Sequence, residues 1–137
     1  MNAAPIVIEK QIEIRWADLD AFGHVNNAVY LTYLEEARDS WLEAMVPEGR
    51  STWDYVLARV AIDYRRELRE EDRFVVASCR LSRLGRSSIV TREEVRKLDG
   101  ELCAEAETVM VARDQQTGRS RPLSPAEHEA FGRVNEA

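Results

Sequence analysis

The sequence predicts one α+β domain in which a single long helix lies across a curved antiparallel sheet. Three observations lead to this fold class. The chain has 137 residues, of which 45% are apolar, so it can bury a core of its own. One long segment has helical periodicity, whereas the segments around it alternate between apolar and polar residues. No stretch has the composition of a linker or a repeat, so residues 1–137 are predicted to form a single domain.

A first strand and the long helix are predicted in the first third of the chain. Apolar residues alternate with mostly polar ones over Ile6–Trp16, as in a strand with one buried face. After a loop over residues 17–25, apolar side chains recur at helical spacing over Tyr30–Ala44. Asn26 or Asn27 is a natural N-cap for this helix.

The rest of the chain is predicted to form four strands and a short C-terminal helix. Alternating patterns indicate strands over residues 56–64, 75–81, 87–98 and 104–112. The last of these strands has small residues on one face, which lets a helix approach the sheet closely. Ser124–Glu127 begins the short helix, because it combines an N-cap serine, a proline at the first helical position and a glutamate at the third.

This order of elements leaves part of the sheet uncovered. One long helix covers only one face of a five-stranded sheet. The other face, or a sheet edge, must then be polar or meet a second copy of the chain. We therefore expect the protein to form a homodimer or a homotetramer.

Charge and composition argue against several classes of protein. The net charge of −6 disfavours a general nucleic-acid binder. The first ten residues lack a basic region like that of a signal peptide, and no apolar run reaches the length of a membrane span. We expect a cytoplasmic protein without a membrane partner, with Cys79 and Cys103 as reduced core thiols. His24 and His128 are far apart in sequence, so we expect no metal site and no cofactor.

The segment Asp18–Arg38 is the most informative part of the sequence. It places an acid, Asp20, within one short loop of a helix N-terminus, where free backbone N–H groups can hold an oxyanion. A base or nucleophile facing an oxyanion site is the minimum equipment for acyl transfer. The alternative interpretation is that Asp20 only forms a turn, and the local residue pattern by itself favours the turn.

Residue blocks across nearly the whole chain carry a family resemblance. They are Arg15, Asp18–Asn27, Tyr30, Tyr33, Glu36–Arg38, Ile62–Leu68 and Asp114–Arg119. On these residues the chain resembles the hot-dog-fold acyl-CoA thioesterases of the 4-hydroxybenzoyl-CoA thioesterase-like group. The His-Val-Asn-Asn form of the first block resembles the branch that acts on fatty acyl-CoA more than the branch that acts on the aromatic thioester.

The resemblance implies a hot-dog fold and the hydrolysis of acyl-CoA thioesters to a carboxylic acid and CoA. Asp20 falls on the family's catalytic carboxylate, which either attacks the thioester carbonyl or activates water. Asn27 falls on the residue whose backbone amide polarises that carbonyl. Some relatives with this fold carry a catalytic glutamate on the long helix, where this chain has Glu35 and Glu36, so that alternative stays open.

Further residues are predicted to bind the substrate. His24, Asn26 and Tyr30 are candidates for substrate binding, and His24 could also assist proton transfer. His24 could equally be a hydrogen-bonded loop residue, Asn26 only a cap, and Tyr30 a core residue with a minor share in the acyl pocket. The turn residues Arg83, Arg86, Ser87 and Ser88 are candidates for the phosphates of CoA, because arginine suits phosphate geometry. The alternative for this turn is an ordinary basic surface. Arg65 and Arg66, contributed by a neighbouring subunit, are a less supported alternative.

Three functions are compatible with these residues. The preferred one is hydrolysis of an acyl-CoA or acyl carrier protein thioester. The alternatives on the same fold are an enoyl-CoA hydratase and a non-catalytic acyl-CoA-binding module. Release of a free thiol would distinguish the first from the other two.

Overall fold

The computed structural model of the chain describes residues 3–135. It has two helices and seven strands over this part of the chain: β1 Ala4–Pro5, β2 Ile8–Glu13, α1 Asn27–Met45, β3 Tyr55–Tyr64, β4 Phe74–Leu84, β5 Ser88–Lys97, β6 Leu102–Ala112, α2 Pro125–Phe131 and β7 Val134–Asn135. The long helix, the five main strands and the short C-terminal helix confirm the predicted fold class.

The main sheet is antiparallel throughout, in the order β2-β4-β5-β6-β3. The two-residue strands β1 and β7 pair with each other, which the sequence pattern did not predict. The predicted first strand was too long at its C-terminal end. The alternation continues past Glu13, but Trp16 lies in a 3₁₀ turn and is 81% exposed.

Helix α1 packs against one face of the sheet along the predicted apolar stripe. Its buried side chains include Leu34, Ala37 and Trp41, each with no exposed surface. The sheet presents the small, fully buried Ala77 of β4 to the helix. Small side chains allow the helix backbone to lie close to the strands. The helix lies over β2, β4 and β5 and approaches β6 less closely, so the close approach predicted from the small residues of the last strand is not confirmed.

A buried ion pair crosses this largely apolar interface. Arg38 of α1 donates from Nη1 to Glu93 of β5 at 2.9 Å, and both side chains are buried. Thr91 donates from its hydroxyl to the other Glu93 oxygen at 2.7 Å. Desolvation raises the pKa of Glu93, against the effect of Arg38 and these hydrogen bonds. A buried charge of this kind is tolerated only with its partners in place, so the pair fixes how α1 sits on the sheet.

The C-terminal segment covers the far end of α1. Ser124 caps α2 as predicted, since its hydroxyl accepts from the Glu127 N–H at 3.2 Å. The buried Glu127 carboxylate accepts from the Tyr55 hydroxyl at 2.6 Å and from Arg121 at 2.7 Å. Burial raises the pKa of Tyr55, whereas the Arg121 and Ser124 hydrogen bonds overcome desolvation and lower the pKa of Glu127 to about 2. This network anchors α2 to the first residue of β3.

Two predictions made from composition can be compared with this fold. Cys79 and Cys103 are free and buried, as expected of core thiols. Over residues 3–135, neither helix combines the length and the apolar character needed to cross a membrane.

Candidate active site

The loop between β2 and α1 is built around the buried carboxylate of Asp18. This carboxylate accepts hydrogen bonds from the Arg15 N–H at 2.9 Å, from the Arg15 side chain at 2.8 Å and from the Tyr33 hydroxyl at 2.8 Å. Desolvation acts to raise the pKa of Asp18, but the hydrogen bonds from Arg15 and Tyr33 outweigh it and the pKa is lowered. Asp18 therefore stays ionised and fixes the start of the loop against α1.

Asp20 lies in the tight turn that follows. Its Oδ1 accepts from the Phe22 N–H at 2.9 Å, and its backbone N–H donates to the His24 carbonyl at 2.9 Å. Gly23 closes the turn with φ +83°, a conformation that favours glycine. The turn-forming interpretation of Asp20 is thus correct as local geometry. The half-buried side chain keeps a second oxygen, Oδ2, to which no described residue donates, so a chemical role is still compatible with the turn.

The N-terminus of α1 leaves one backbone donor without a partner. Asn26 is the N-cap: its Oδ1 accepts from the Ala28 N–H and its carbonyl accepts from the Val29 N–H, both at 2.9 Å. No residue among 3–135 accepts a hydrogen bond from the Asn27 N–H. Free N–H groups at a helix start attract negative charge, so this amide can hold an oxyanion.

A pocket of about 280 Å³ opens at this helix end. It is lined by His24, Val25, Asn27, Tyr30, Tyr64, Arg65, Arg66 and Glu67. The structure therefore brings together three of the predicted site residues, His24, Asn27 and Tyr30. Asn26 caps the helix next to them, with its side-chain oxygen already used in the cap.

Two tyrosines form the inner wall of the pocket. The rings of Tyr30 and Tyr64 meet edge to face with centroids 5.1 Å apart. The Tyr64 hydroxyl donates to the Asn27 carbonyl at 2.9 Å, and the Tyr30 hydroxyl donates to the Arg66 carbonyl at 3.2 Å. Burial raises the pKa of Tyr30 to about 12, so it stays protonated at neutral pH. These contacts tie the helix start to the end of β3 and occupy the Asn27 carbonyl rather than its N–H.

The three candidate catalytic carboxylates, those of Asp20, Glu35 and Glu36, lie in different places relative to the pocket. Asp20 is adjacent to His24 through the backbone but is not among the residues that line the pocket in the described chain. Glu36 pairs with Lys10 of β2 at 3.2 Å. Glu35 lies on the groove between α1 and β3, roughly two helical turns from Asn27. Neither glutamate contributes to the pocket wall.

The predicted CoA-binding turn lies at the opposite end of the sheet. Tyr64 is paired with Ala104, which is paired with Val95 of β5. Ser88, at the start of β5, is seven residues further along that strand, or roughly 24 Å at about 3.4 Å per residue. Arg83, Arg86, Ser87 and Ser88 are therefore not brought to the pocket within one chain, whereas Arg65 and Arg66 line it.

Sequence reasoning gave no role to Glu67 or Tyr64 in this site. Both come from the end of β3 and the segment after it, about 40 residues from the loop that carries His24. Glu67 was part of the resembling block Ile62–Leu68, which was the available signal, but no local pattern links it to His24. Among residues 3–135, no three His, Cys, Asp or Glu side chains are grouped as metal ligands would be.

Comparison with known proteins identifies the family. Residues 14–131 match the model of the thioesterase-like superfamily. The chain belongs to this superfamily. The expected hot-dog fold and thioesterase class are confirmed, because solved thioesterases have the same architecture.

Three relatives illustrate the similarity of this thioesterase-like chain to known proteins. A crystal structure of a thioesterase from Thermus thermophilus, complexed with coenzyme A and Zn, has a TM-score of 0.81 and 35% identity, covering 90% of each chain. The long-chain acyl-CoA thioesterase FadM of Escherichia coli is 31% identical over 119 residues, 85% of this chain and 90% of FadM. The uncharacterised protein YsmA of Bacillus subtilis is 31% identical over 125 residues, 88% of this chain and 82% of YsmA.

The Asp18 network predicts a pH-dependent loss of stability. Asp18→Asn should lower the free energy of unfolding by about 1.5–3 kcal/mol at pH 7, the range for hydrogen bonds to a charged group. Because the folded-state pKa of Asp18 is lowered, this contribution is fully present above about pH 4, the ordinary range for an aspartate, and is lost as the pH falls further. Urea denaturation of both proteins at pH 7 and pH 3 measures the difference.

Asp63→Asn is the matched control, since the Asp63 side chain is 70% exposed. Its stability should equal that of the wild type at both pH values. The prediction would be contradicted if the free energies of unfolding of wild type and Asp18→Asn differed by the same amount at pH 7 and at pH 3.

Proposed function

We propose that this protein hydrolyses acyl-CoA thioesters to the free carboxylic acid and CoA. The observation that carries the proposal is the unpartnered Asn27 N–H, which lies at a pocket at the start of α1 beside the Asp20 turn. The names of the relatives support the substrate class: FadM is a long-chain acyl-CoA thioesterase, and the Thermus thioesterase was crystallised with coenzyme A.

An acyl carrier protein is a second candidate carrier. The acyl-acyl carrier protein thioesterase ATL3 of Arabidopsis thaliana is 33% identical over 72 residues, which is 50% of this chain and 38% of ATL3. Both carriers present the same phosphopantetheine thioester, so the same pocket would serve either one. Activity with each carrier distinguishes them.

In the proposed mechanism the thioester carbonyl oxygen accepts a hydrogen bond from the Asn27 N–H. Negative charge that develops on this oxygen is stabilised by the N-terminal end of the α1 dipole. Asp20 approaches the carbonyl carbon from the other side. It either attacks directly, forming a mixed anhydride that water opens, or takes a proton from water, which then attacks. In both routes the C–S bond breaks and CoA leaves as a thiolate, a good leaving group that needs no strongly activated nucleophile.

The turn geometry suits Asp20 for this role. The Phe22 N–H holds Oδ1, which restricts rotation of the carboxylate, while Oδ2 stays available for reaction. The backbone hydrogen bond between Asp20 and His24 fixes the turn relative to the pocket. A carboxylate that is held on one side loses little conformational freedom when the substrate binds.

We further propose that the active form is an oligomer joined through β3. Both β2 and β3 are edges of the main sheet. The short edge β2 carries charged residues such as Glu9, Lys10 and Glu13, which protect an edge from pairing. The ten-residue edge β3 instead leaves Val56 and Leu57 38% and 49% exposed. A second copy paired antiparallel along β3 around a two-fold axis would cover these residues and would also lie beside the pocket at the other end of the strand.

The CoA phosphates have two candidate binding sites. Arg65 and Arg66 line the pocket itself, and their nearest carboxylates are 3.5 to 3.7 Å away and partly exposed, so both guanidinium groups can turn toward a phosphate. Arg83, Arg86, Ser87 and Ser88 can reach this pocket only from another subunit. We propose that Arg65 and Arg66 make the main phosphate contacts.

Asp20→Asn should lower kcat by roughly 10²–10⁴-fold, the span expected for a positioned acid, base or nucleophile. The fold should be retained, because the asparagine oxygen can still accept from the Phe22 N–H. Thiol release from acyl-CoA substrates of several chain lengths and from an aromatic thioester measures the effect. Asp63→Asn is the control, and Glu36→Ala is assayed beside Asp20→Ala. Loss of activity only in the glutamate variant would move the chemistry onto the helix.

Leu57→Arg should convert the oligomer to a monomer and reduce kcat/KM, because a charge would then lie in the β3 contact. Sedimentation velocity at micromolar concentration measures the mass. Leu98→Arg is the matched control, since Leu98 is 56% exposed in the turn between β5 and β6 and should leave the mass unchanged. A wild-type protein that sediments as a monomer would refute the assembly.

The double variant Arg65→Ala/Arg66→Ala should raise KM for acyl-CoA by about 10-fold or more, the loss expected from removing one or two charge-assisted hydrogen bonds. It should leave KM unchanged for a truncated N-acetylcysteamine thioester, which lacks the nucleotide. Arg83→Ala/Arg86→Ala is the matched comparison. If only this second pair raises KM for acyl-CoA, the phosphates bind at the turn contributed by a neighbouring subunit.

A further inference from the structure

A histidine–glutamate pair lies in the wall of the Asn27 pocket. His24 Nε2 is 2.8 Å from Glu67 Oε2. The other Glu67 oxygen accepts from Arg69 Nε at 3.1 Å and Nη2 at 2.9 Å. Arg69, Glu67 and His24 thus form a continuous chain of hydrogen bonds that ends at the pocket.

Backbone contacts hold the segment that carries His24 beside the segment that carries Glu67 and Arg69. The Val25 N–H donates to the Leu68 carbonyl at 2.8 Å, and His24 forms an isolated antiparallel bridge with Arg69. The ring of Phe22 lies beside that of His24 at 6.3 Å between centroids, with 23° between the planes. Glu67 therefore holds the tip of the His24 ring, whereas Phe22 is 81% exposed and only lies beside it.

The contact with Glu67 decides which nitrogen of His24 is available. An ionised carboxylate only accepts hydrogen bonds, so Nε2 carries the proton that it donates to Glu67. In the neutral ring Nδ1 is then an acceptor. No described residue hydrogen-bonds to Nδ1, so it is the nitrogen that can meet a water or a substrate group at the pocket.

We propose that Glu67 is a positioning residue that holds His24 so that Nδ1 orders the hydrolytic water. The inference rests on the proposed thioesterase function and adds a residue to its site. Both routes open to Asp20 need a water that attacks a carbonyl carbon, either of the thioester or of a mixed anhydride. His24 Nδ1 accepts a hydrogen bond from one hydrogen of that water and directs its oxygen toward the carbon held at the Asn27 N–H.

The atoms and charges balance without any other reactant. When Asp20 is the base, water forms the new C–O bond, its second proton passes to Asp20, and the C–S bond breaks to release the thiolate. When Asp20 is the nucleophile, the thiolate has already left, and the same water opens the anhydride and regenerates the carboxylate. The released thiolate takes up one proton, which comes from protonated Asp20 in the first route and, through solvent, from the attacking water in the second, so Asp20 ends as a carboxylate in both. His24 keeps its Nε2–H throughout.

A purely structural role does not account well for this pair. The His24 and Glu67 side chains are 34% and 49% exposed. An ion pair or hydrogen bond at such an exposed site contributes little to stability, because water screens it. The loop is already anchored by Asp18 and by the backbone bridges, so removal of the Glu67 side chain should change catalysis more than stability.

The test is a double-mutant cycle on His24 and Glu67. In Glu67→Ala, kcat for acyl-CoA should fall by about 10- to 100-fold, as when a residue that orients a catalytic group is removed, with KM within about two-fold of the wild type. Glu67→Gln keeps an acceptor for the Nε2–H and should retain most of kcat. In a His24→Ala background, Glu67→Ala should have no further effect. Glu94→Ala, which removes another partly exposed carboxylate that is paired with an arginine, Arg96, outside the pocket, is the control.

Nitrogen NMR of the imidazole gives an independent readout. Wild-type His24 should be the Nε2–H tautomer when neutral, and Glu67→Ala should give a mixture of tautomers with an unchanged melting temperature. Unchanged kcat in Glu67→Ala, or an equal loss of kcat in the His24→Ala background, would overturn the positioning role. A wild-type protein that binds acyl-CoA but releases no thiol would instead overturn the proposed function, and the tautomer measurement would still report on the pair.

Discussion

The buried Asp18 carboxylate is the interaction on which the rest of the site depends. A charge with almost no exposed surface is tolerated here because Arg15 and Tyr33 supply donors from both sides. Tyr33 belongs to α1 and Arg15 to the loop, so the same carboxylate joins the two. The Asn26 N–H donates to the Asp18 carbonyl at 2.9 Å, which fixes where the helix starts. The Asp20 turn, His24 and the Asn27 amide are all held by this arrangement.

The sheet supplies the second half of the site from a distant part of the sequence. The segment after β3 runs beside the loop through the bond between Val25 and Leu68, and Tyr64 reaches the helix start. This places Arg65, Arg66 and Glu67 in the wall of the same pocket as Asn27. The pocket is therefore a junction between a loop, a helix end and a strand end, held together by hydrogen bonds to the main chain. Such a scaffold can hold reacting groups in place with little freedom to move.

The packing of α1 on the sheet defines what remains exposed. The Arg38–Glu93 pair and the small residue Ala77 of β4 hold the helix over β2, β4 and β5. Strand β3 is left at an edge with apolar residues such as Leu57 in contact with solvent. This exposed apolar edge supports the proposal that a second copy of the chain pairs along β3. That copy would complete the walls around the pocket.

The sequence alone determined the order of the two helices and the five main strands, because helical and alternating periodicities report directly on burial. It also limited the cap of α1 to Asn26 or Asn27 and predicted the start of α2, since the residues from Asn26 to Ala28 and from Ser124 to Glu127 interact within one turn. It did not determine the length of the first strand, since alternation through Trp16 looks the same in a strand and in an exposed turn. The tertiary structure decided the partners of Asp18, the pairing of His24 with Glu67, and the separation of Arg83 and Arg86 from the pocket. Those contacts join or separate residues far apart in the chain, and they are set by strand register and helix packing, which no local pattern of residues encodes.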